Sequence, residues 1–278
     1  MGRNPSSNVE IYNLNSINKL KDLIKGRIVC IIARGKTAEI LEKRIEEFKN
    51  YDVVWTSMNL FTPAEMILEK IGKQLDLVSD CSTVKNIQTY ERDVRMPRFI
   101  KYLKKDNNLL FTSQLVIQES FKRDNFYQIF GQYKYKIATI DDIFNTSNAP
   151  KSIWDAPPNS ITLLFAACIA GGAKKIICFG YDGLYGHTGT QRTYLDHDCI
   201  ETYYRSDLEK KDRLAAAGAI EIGSLATDSF FFQRDFSKIW NIYKQTYNND
   251  CPILNCSPIT KFTCIKKISY DEVHNEIR

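Results

Sequence analysis

Between Asn159 and Tyr194 the chain reads NSITLLFAACIAGGAKKIICFGYDGLYGHTGTQRTY, and this stretch limits the fold more than any other. Ser160 suits a helix start, because its hydroxyl can accept from the free N–H groups of the first turn. Ile161 to Ile169 is apolar nearly all round, which predicts a helix buried on several sides. Gly171-Gly172 should end it, since glycine takes the left-handed conformation without a Cβ clash. The run Ile176-Ile177-Cys178-Phe179 then predicts a short strand buried on both faces. It ends in Gly180-Tyr181-Asp182-Gly183, a carboxylate between glycines at the carboxyl end of a buried strand. Open α/β sheets place ligands at such tips. A polar loop with Tyr185, His187, Gln191, Arg192 and Tyr194 follows directly.

The same alternation runs through the rest of the chain. Residues 17–24 have helical spacing. Arg27 to Ala33 predicts the first strong strand, Arg34-Gly35-Lys36-Thr37 a turn, and Ala38 to Phe48 a helix with Ile40, Leu41 and Ile45 on one face. That helix should offer free N–H groups to an anion. The spacing is neither G-x-G-x-x-G nor a Walker A loop, and a plain strand–helix connection with an exposed Lys36 is the alternative. Further strands are expected at Asp52–Thr56, Leu75–Ser79 and Pro252–Cys256, with helices from Pro63 to Ile71 and from Phe230 to Tyr247. Residues 85–150 are less regular and read as an insertion or lid, although Arg98–Lys105 looks helical and Leu109–Thr112 looks like a strand. An aromatic segment such as 120–137 suits a lid or a subunit contact in a homo-oligomer equally. Lys261 to Ile268 reads as a basic tail.

The expected fold is therefore a single α/β domain over 1–278, with a Rossmann-like, largely parallel sheet and helices on both faces. Gly35, Asn59, Asp80, Asp182 and Asn255 each follow an apolar strand. In a doubly wound sheet such tips converge on one cleft.

Bulk composition narrows the function. The 278 residues suffice for a proper core, and a net charge of +5 is modest. It allows a nucleotide ligand or weak peripheral attraction to an anionic membrane, and argues against a nucleic-acid binder, whose basic excess is stronger and clustered. Eight cysteines show no C-x-x-C pair, so a structural zinc is not expected. Cys30, Cys168 and Cys178 lie in apolar runs and read as core. No apolar leader or long apolar run stands out, which reads as cytoplasmic, at most peripheral at the inner membrane face.

Three stretches resemble the bacterial sialyltransferases of glycosyltransferase family 42: Ile31-Ile-Ala-Arg-Gly35-Lys-Thr, Asp52-Val-Val-Trp-Thr-Ser-Met-Asn59 and Asp76-Leu-Val-Ser-Asp80. Ser160 to Asp182 looks like that family's buried helix, glycine stop, strand and Gly-x-Asp turn, and Ile253-Leu-Asn-Cys-Ser-Pro258 like its final strand and nucleotide-proximal loop. The layout is similar in the motility accessory factors and the archaeal 6-hydroxymethylpterin diphosphokinases. The resemblance spans most of the chain outside 85–150. It implies a GT-A-like variant of the Rossmann fold and inverting, metal-independent transfer of a sialic-acid-like sugar from a CMP-activated donor to a glycan acceptor, with no cofactor. By position it implies Gly35 beneath the phosphate, with Asn59 and Asp80 on the nucleotide or sugar. Tyr185, and then Tyr194, would hold the departing phosphate. Lys36, Thr37, Ser160, Gly180, Asn255 and Ser257 complete the expected nucleotide-binding set.

Where those sialyltransferases carry a catalytic histidine, this chain has Ala226-Thr227-Asp228, closer to the motility-factor and pterin-kinase pattern. Asp228 or His187 is the expected base; a helix cap and an exposed loop histidine are their ordinary alternatives. Asp182 is the most informative carboxylate and is expected in the catalytic set with Asp228, His187 and Tyr185; tying its own turn is its alternative role. His197, in Asp196-His197-Asp198, reads as solvent-exposed rather than a metal ligand. Two other classes stay open. One is a nucleotide-dependent diphosphokinase using Asp182 and Asp228 to hold Mg²⁺, and the other is a binding module that recognises a nucleotide or sugar without reacting.

Overall fold

Five consecutive apolar residues, Ile28–Ile32, form strand β1, and all five are buried. Ile28, Cys30 and Ile32 face one apolar layer, while Val29 and Ile31 face another. A strand covered on both faces needs no polar alternation, which is why the run is continuous. The computed structural model describes residues 14–33, 35, 37–58, 62–80, 96–112, 132–140, 142–143, 160–182, 240–260 and 262–278.

The described elements follow in order. They are helix α1 (Ser16–Ile24), β1, α2 (Ala38–Arg44, continued by a 3₁₀ turn, Ile45–Phe48), β2 (Val54–Met58), α3 (Thr62–Glu69), β3 (Leu77–Asp80), α4 (Met96–Leu103) and β4 (Leu109–Thr112). Then come β5 (Ile137–Thr139), α5 (Ser160–Ala170), β6 (Lys175–Phe179), a helix α6 over 240–247, β7 (Ile253–Asn255), β8 (Lys266–Lys267) and α7 (Tyr270–Ile277). The eight strands form one sheet in the order β5-β4-β3-β2-β1-β6-β7-β8, and every pairing is parallel. Helices α2, α3, α4 and α7 cover one face, and α1, α5 and α6 the other. This is the Rossmann-like α/β fold expected from the alternation. The chain leaves β1 in one direction and returns through β6 in the other, so β1 and β6 flank the topological switch point.

Helix α5 is the central prop. Ile161 and Leu163 to Ala170 are all buried, and the helix packs on α1, β2 and β3. Each fully buried Leu, Ile or Phe here contributes about 1.5–3 kcal/mol through loss of apolar surface to water. Its stop is a Schellman motif: the Ala173 N–H donates to the Cys168 carbonyl at 3.0 Å and the Gly172 N–H to Ile169 at 2.9 Å. Gly172 holds the left-handed conformation that this requires, at φ 80°. Cys30, Cys168 and Cys178 are core residues, and burial pushes their thiols well up, which keeps them protonated and inert.

The described part of 85–150 joins the sheet: β4 and β5 extend it beyond β3, and Phe99, Tyr102 and Leu103 of α4 pack into the core. One expectation needs correction: the end of the chain is not a basic tail. Ile265, Ile268, Tyr270 and Val273 are buried, β8 forms the sheet edge, and α7 closes one face. A capping box starts α7, with the Ser269 hydroxyl accepting from the Glu272 amide at 3.2 Å and the Glu272 carboxylate from the Ser269 amide at 2.6 Å.

Candidate functional site

The switch point brings together three loops that lie far apart in sequence. The turn after β1 carries Gly35 and Thr37, the tip of β6 carries Gly180, Tyr181 and Asp182, and the tip of β7 carries Asn255 and Ser257. Parallel register places them side by side, because β1 pairs with β6 and β6 with β7. The Ala33 N–H donates to Phe179 at 2.8 Å, Gly35 to Gly180 at 2.9 Å, and Cys256 to Cys178 at 2.9 Å.

Asp182 is the hub. Only 4% of it is exposed. Its Oδ2 accepts from the Thr37 amide at 3.0 Å, and its Oδ1 accepts from the Thr37 hydroxyl and from the Ser257 hydroxyl at 2.6 Å. Among the described residues its partners lie on neighbouring loops. The carboxylate therefore sits where the sequence leads one to expect a ligand anion, at the start of α2. The Ala38 amide is also taken, by the Gly35 carbonyl at 3.0 Å. A helix amino terminus favours negative charge, and this one meets it within the protein.

The glycines follow from that closeness. A Cβ on Gly35 would lie 2.4 Å from the Gly180 carbonyl oxygen and 2.6 Å from the Asp182 carboxylate. Gly180 has φ 66°, and a Cβ there would meet the Ala33 oxygen at 2.8 Å. Gly35 thus makes room for the Gly180 carbonyl and the Asp182 carboxylate. Asn255 is likewise spent inside the frame: its amide donates to the Tyr181 carbonyl at 2.8 Å and to the Thr260 hydroxyl at 3.1 Å, and its oxygen accepts from the Ser257 amide at 3.1 Å. Thr37 is touched from α7 too, where the Tyr270 hydroxyl donates to its carbonyl at 3.3 Å. That contact was not foreseen.

Asp80 ends β3 on the same edge of the sheet. Helix α5 starts at Ser160 and ends at the amino edge, where Gly172 accepts from Gly26 at 2.9 Å, so it runs back from the ligand edge. Lys36, Asn59, Tyr185, His187, Tyr194, His197 and Asp228 fall outside the described residues. Among the described residues no cluster of His, Cys, Asp and Glu is arranged to hold a metal ion. Likewise, no described helix is long and apolar enough to cross a membrane.

A cavity of about 530 Å³ lies at the opposite, amino edge, lined among others by Arg27, Asp52, Trp55, Lys73, Asp76 and Lys105. None of the candidate site residues lines it. Asp76 joins three strands there: its carboxylate accepts from the Trp55 amide at 2.7 Å, its amide donates to the Trp55 carbonyl, and its carbonyl accepts from Leu109. Burial raises its pKa from 3.8 to about 6, opposed by the Trp55 hydrogen bond and the charges of Arg27 and Lys73. The folded state therefore holds this proton more tightly than the unfolded chain. Its contribution to stability is complete below about pH 3.8 and is lost as pH rises through about 6. Asp76→Asn keeps an acceptor for Trp55 and removes the titration. Its melting temperature relative to wild type should rise between pH 4.5 and pH 7.5, by an amount equivalent to roughly 1 kcal/mol after allowance for partial exposure. A pH-independent difference would show that Asp76 does not titrate in this range.

Fold and switch-point geometry define the class: a Rossmann-like α/β protein with a candidate site where the tips of β1, β6 and β7 meet. No protein-family model matches the chain, and no curated protein matches it in sequence.

Proposed function

We propose that the chain is an inverting, metal-independent glycosyltransferase that moves a sialic-acid-like sugar from a CMP-activated donor to a glycan acceptor. The observation that carries this reading is the meeting of the Gly35 turn, the Gly-Tyr-Asp tip and the Asn255–Ser257 loop at the switch point. These are the segments on which the family resemblance rests. The state of Asp182 favours a metal-free mechanism over the diphosphokinase alternative. A carboxylate that is 4% exposed and already accepts three hydrogen bonds is poorly placed to hold Mg²⁺ against a triphosphate.

Of the helix amino termini at this edge, that of α2 is occupied by Asp182, and in this reading the α5 terminus at Ser160 takes the donor phosphate. In this reading Asn59 and Asp80 hold the nucleotide or sugar, Lys36 adds positive charge, and Tyr185 and Tyr194 support the departing CMP. Asp228 or His187 takes the proton from the acceptor hydroxyl. In this reading Asp182 holds the frame and performs no proton transfer.

A thermal-shift panel of CMP, CDP, ATP and GTP, each with Mg²⁺ and with chelator, tests the donor class. CMP or CDP should raise the melting temperature equally in both conditions. At about 100 times Kd a ligand adds roughly 2.7 kcal/mol of stability. Stabilisation by ATP that appears only with Mg²⁺ would instead support the kinase.

A further inference from the structure

We propose that Asp182 is a positioning residue, and that with Thr37 and Ser257 it forms a buried clasp that fixes the Gly35 turn against the tips of β6 and β7. The ligand whose binding depends on the clasp rests on the nucleotide reading above; the clasp itself rests on geometry alone.

The three members lie on three different loops, and Asp182 is 145 residues from Thr37 and 75 from Ser257. Burying a carboxylate is costly unless donors replace its water. Here two hydroxyls and one helix-terminal amide do so. The interaction is charge-assisted at every contact, which makes it stronger and shorter than neutral hydrogen bonding. Neighbouring contacts bear on the same loops: Gly35 on Gly180, Asn255 on Tyr181, and Tyr270 on Thr37. Removing the carboxylate would leave the Thr37 amide and two buried hydroxyls without their acceptor. The turn after β1 and the loop after β7 would then lose their common anchor. Ligand affinity should fall although Asp182 touches no ligand.

The role separates from a charge-dependent one by rescue. An asparagine at position 182 can turn its oxygen to the Thr37 amide and its two N–H groups to the two hydroxyls. It restores the clasp without the charge that a metal ligand or base would need. The experiment compares wild type, Asp182→Ala, Asp182→Asn, Thr37→Val, Ser257→Ala and the Thr37→Val/Ser257→Ala pair. Two measurements are made on each: CMP affinity by calorimetry, and hydrogen exchange of the Gly35 and Thr37 amides without ligand.

Asp182→Ala should lower CMP affinity by roughly tenfold or more and speed exchange at both amides, and Asp182→Asn should recover most of both. Thr37→Val and Ser257→Ala should be non-additive, since both hydroxyls donate to Oδ1. Should Asp182→Ala fail to fold, Thr37→Val decides, because it removes one hydroxyl and keeps the amide. Unchanged exchange in Asp182→Ala, or in Thr37→Val if that variant decides, overturns the clasp. Asp182→Asn binding CMP as poorly as Asp182→Ala, with slow amide exchange intact, also overturns it in favour of a role for the charge. If wild type does not bind CMP, the nucleotide reading fails while amide exchange still decides the clasp.

Discussion

Gly35→Ala is expected to destabilise the protein severely. The added methyl would sit 2.4 Å from a backbone oxygen and 2.6 Å from a buried carboxylate, and neither is the yielding end of a flexible side chain. Asp182 can move aside only by breaking its bonds to Thr37 and Ser257. Overpacking of this kind costs about 3 kcal/mol or more, which lowers Tm by roughly 6 °C or more in a chain of this size. Gly26→Ala is the control. Gly26 has φ 73° but nothing within 4 Å of its added Cβ, so only left-handed backbone strain of about 1 kcal/mol is incurred. Thermal melts of the two variants should differ widely. Equal, small losses would mean that the Gly35 turn is not packed against Asp182.

The proposed transfer chemistry predicts the other large effect. Removing the general base should lower turnover by about two to four orders of magnitude while donor binding survives, because the base acts on the acceptor hydroxyl. The variants are Asp228→Asn and His187→Ala. The wild-type pH profile separates them further. With a histidine base, activity falls below about pH 6.5, and with an unperturbed aspartate it persists well below that. If both variants turn over at near wild-type rates, neither residue is the base.

How far the molecule was legible depends on range. Helix α5, its double-glycine stop and β6 were readable because apolar runs and glycine punctuation act within a few residues. So were β1 to β3 and the hydrophobic faces of α1 and α2. Strand β5 was not: Ile137–Thr139 is three residues long and owes its state to pairing with β4. The two lysines of β8 have no strand signature either, and join the sheet only through β7. Helix α7 was missed although Ser269-Tyr270-Asp271-Glu272 carries the capping-box pattern, because the lysines around it drew the reading toward a tail.

The candidate site divides in the same way. That Gly35, Asp182 and Asn255 would share one edge followed from strand tips in a parallel sheet; Ser257 was expected nearby only through the resemblance. That they would spend their hydrogen bonds on one another did not follow. Which donor meets which oxygen of Asp182 depends on the pairing of β1 with β6 and of β6 with β7, a matter of tertiary register. At the start of α2 the chain places its own carboxylate, from a residue 145 positions away, which no local pattern shows.

The central claim is tested most directly by incubating the wild-type protein with CMP-sialic acid and related CMP-nonulosonates in the presence of chelator, with and without a panel of glycan acceptors. CMP release and sugar transfer are both followed. The account predicts release of CMP from at least one of these donors without a divalent metal, and formation of the inverted glycoside when a suitable acceptor is present. No turnover of any of these donors, together with Mg²⁺-dependent consumption of ATP, would contradict it.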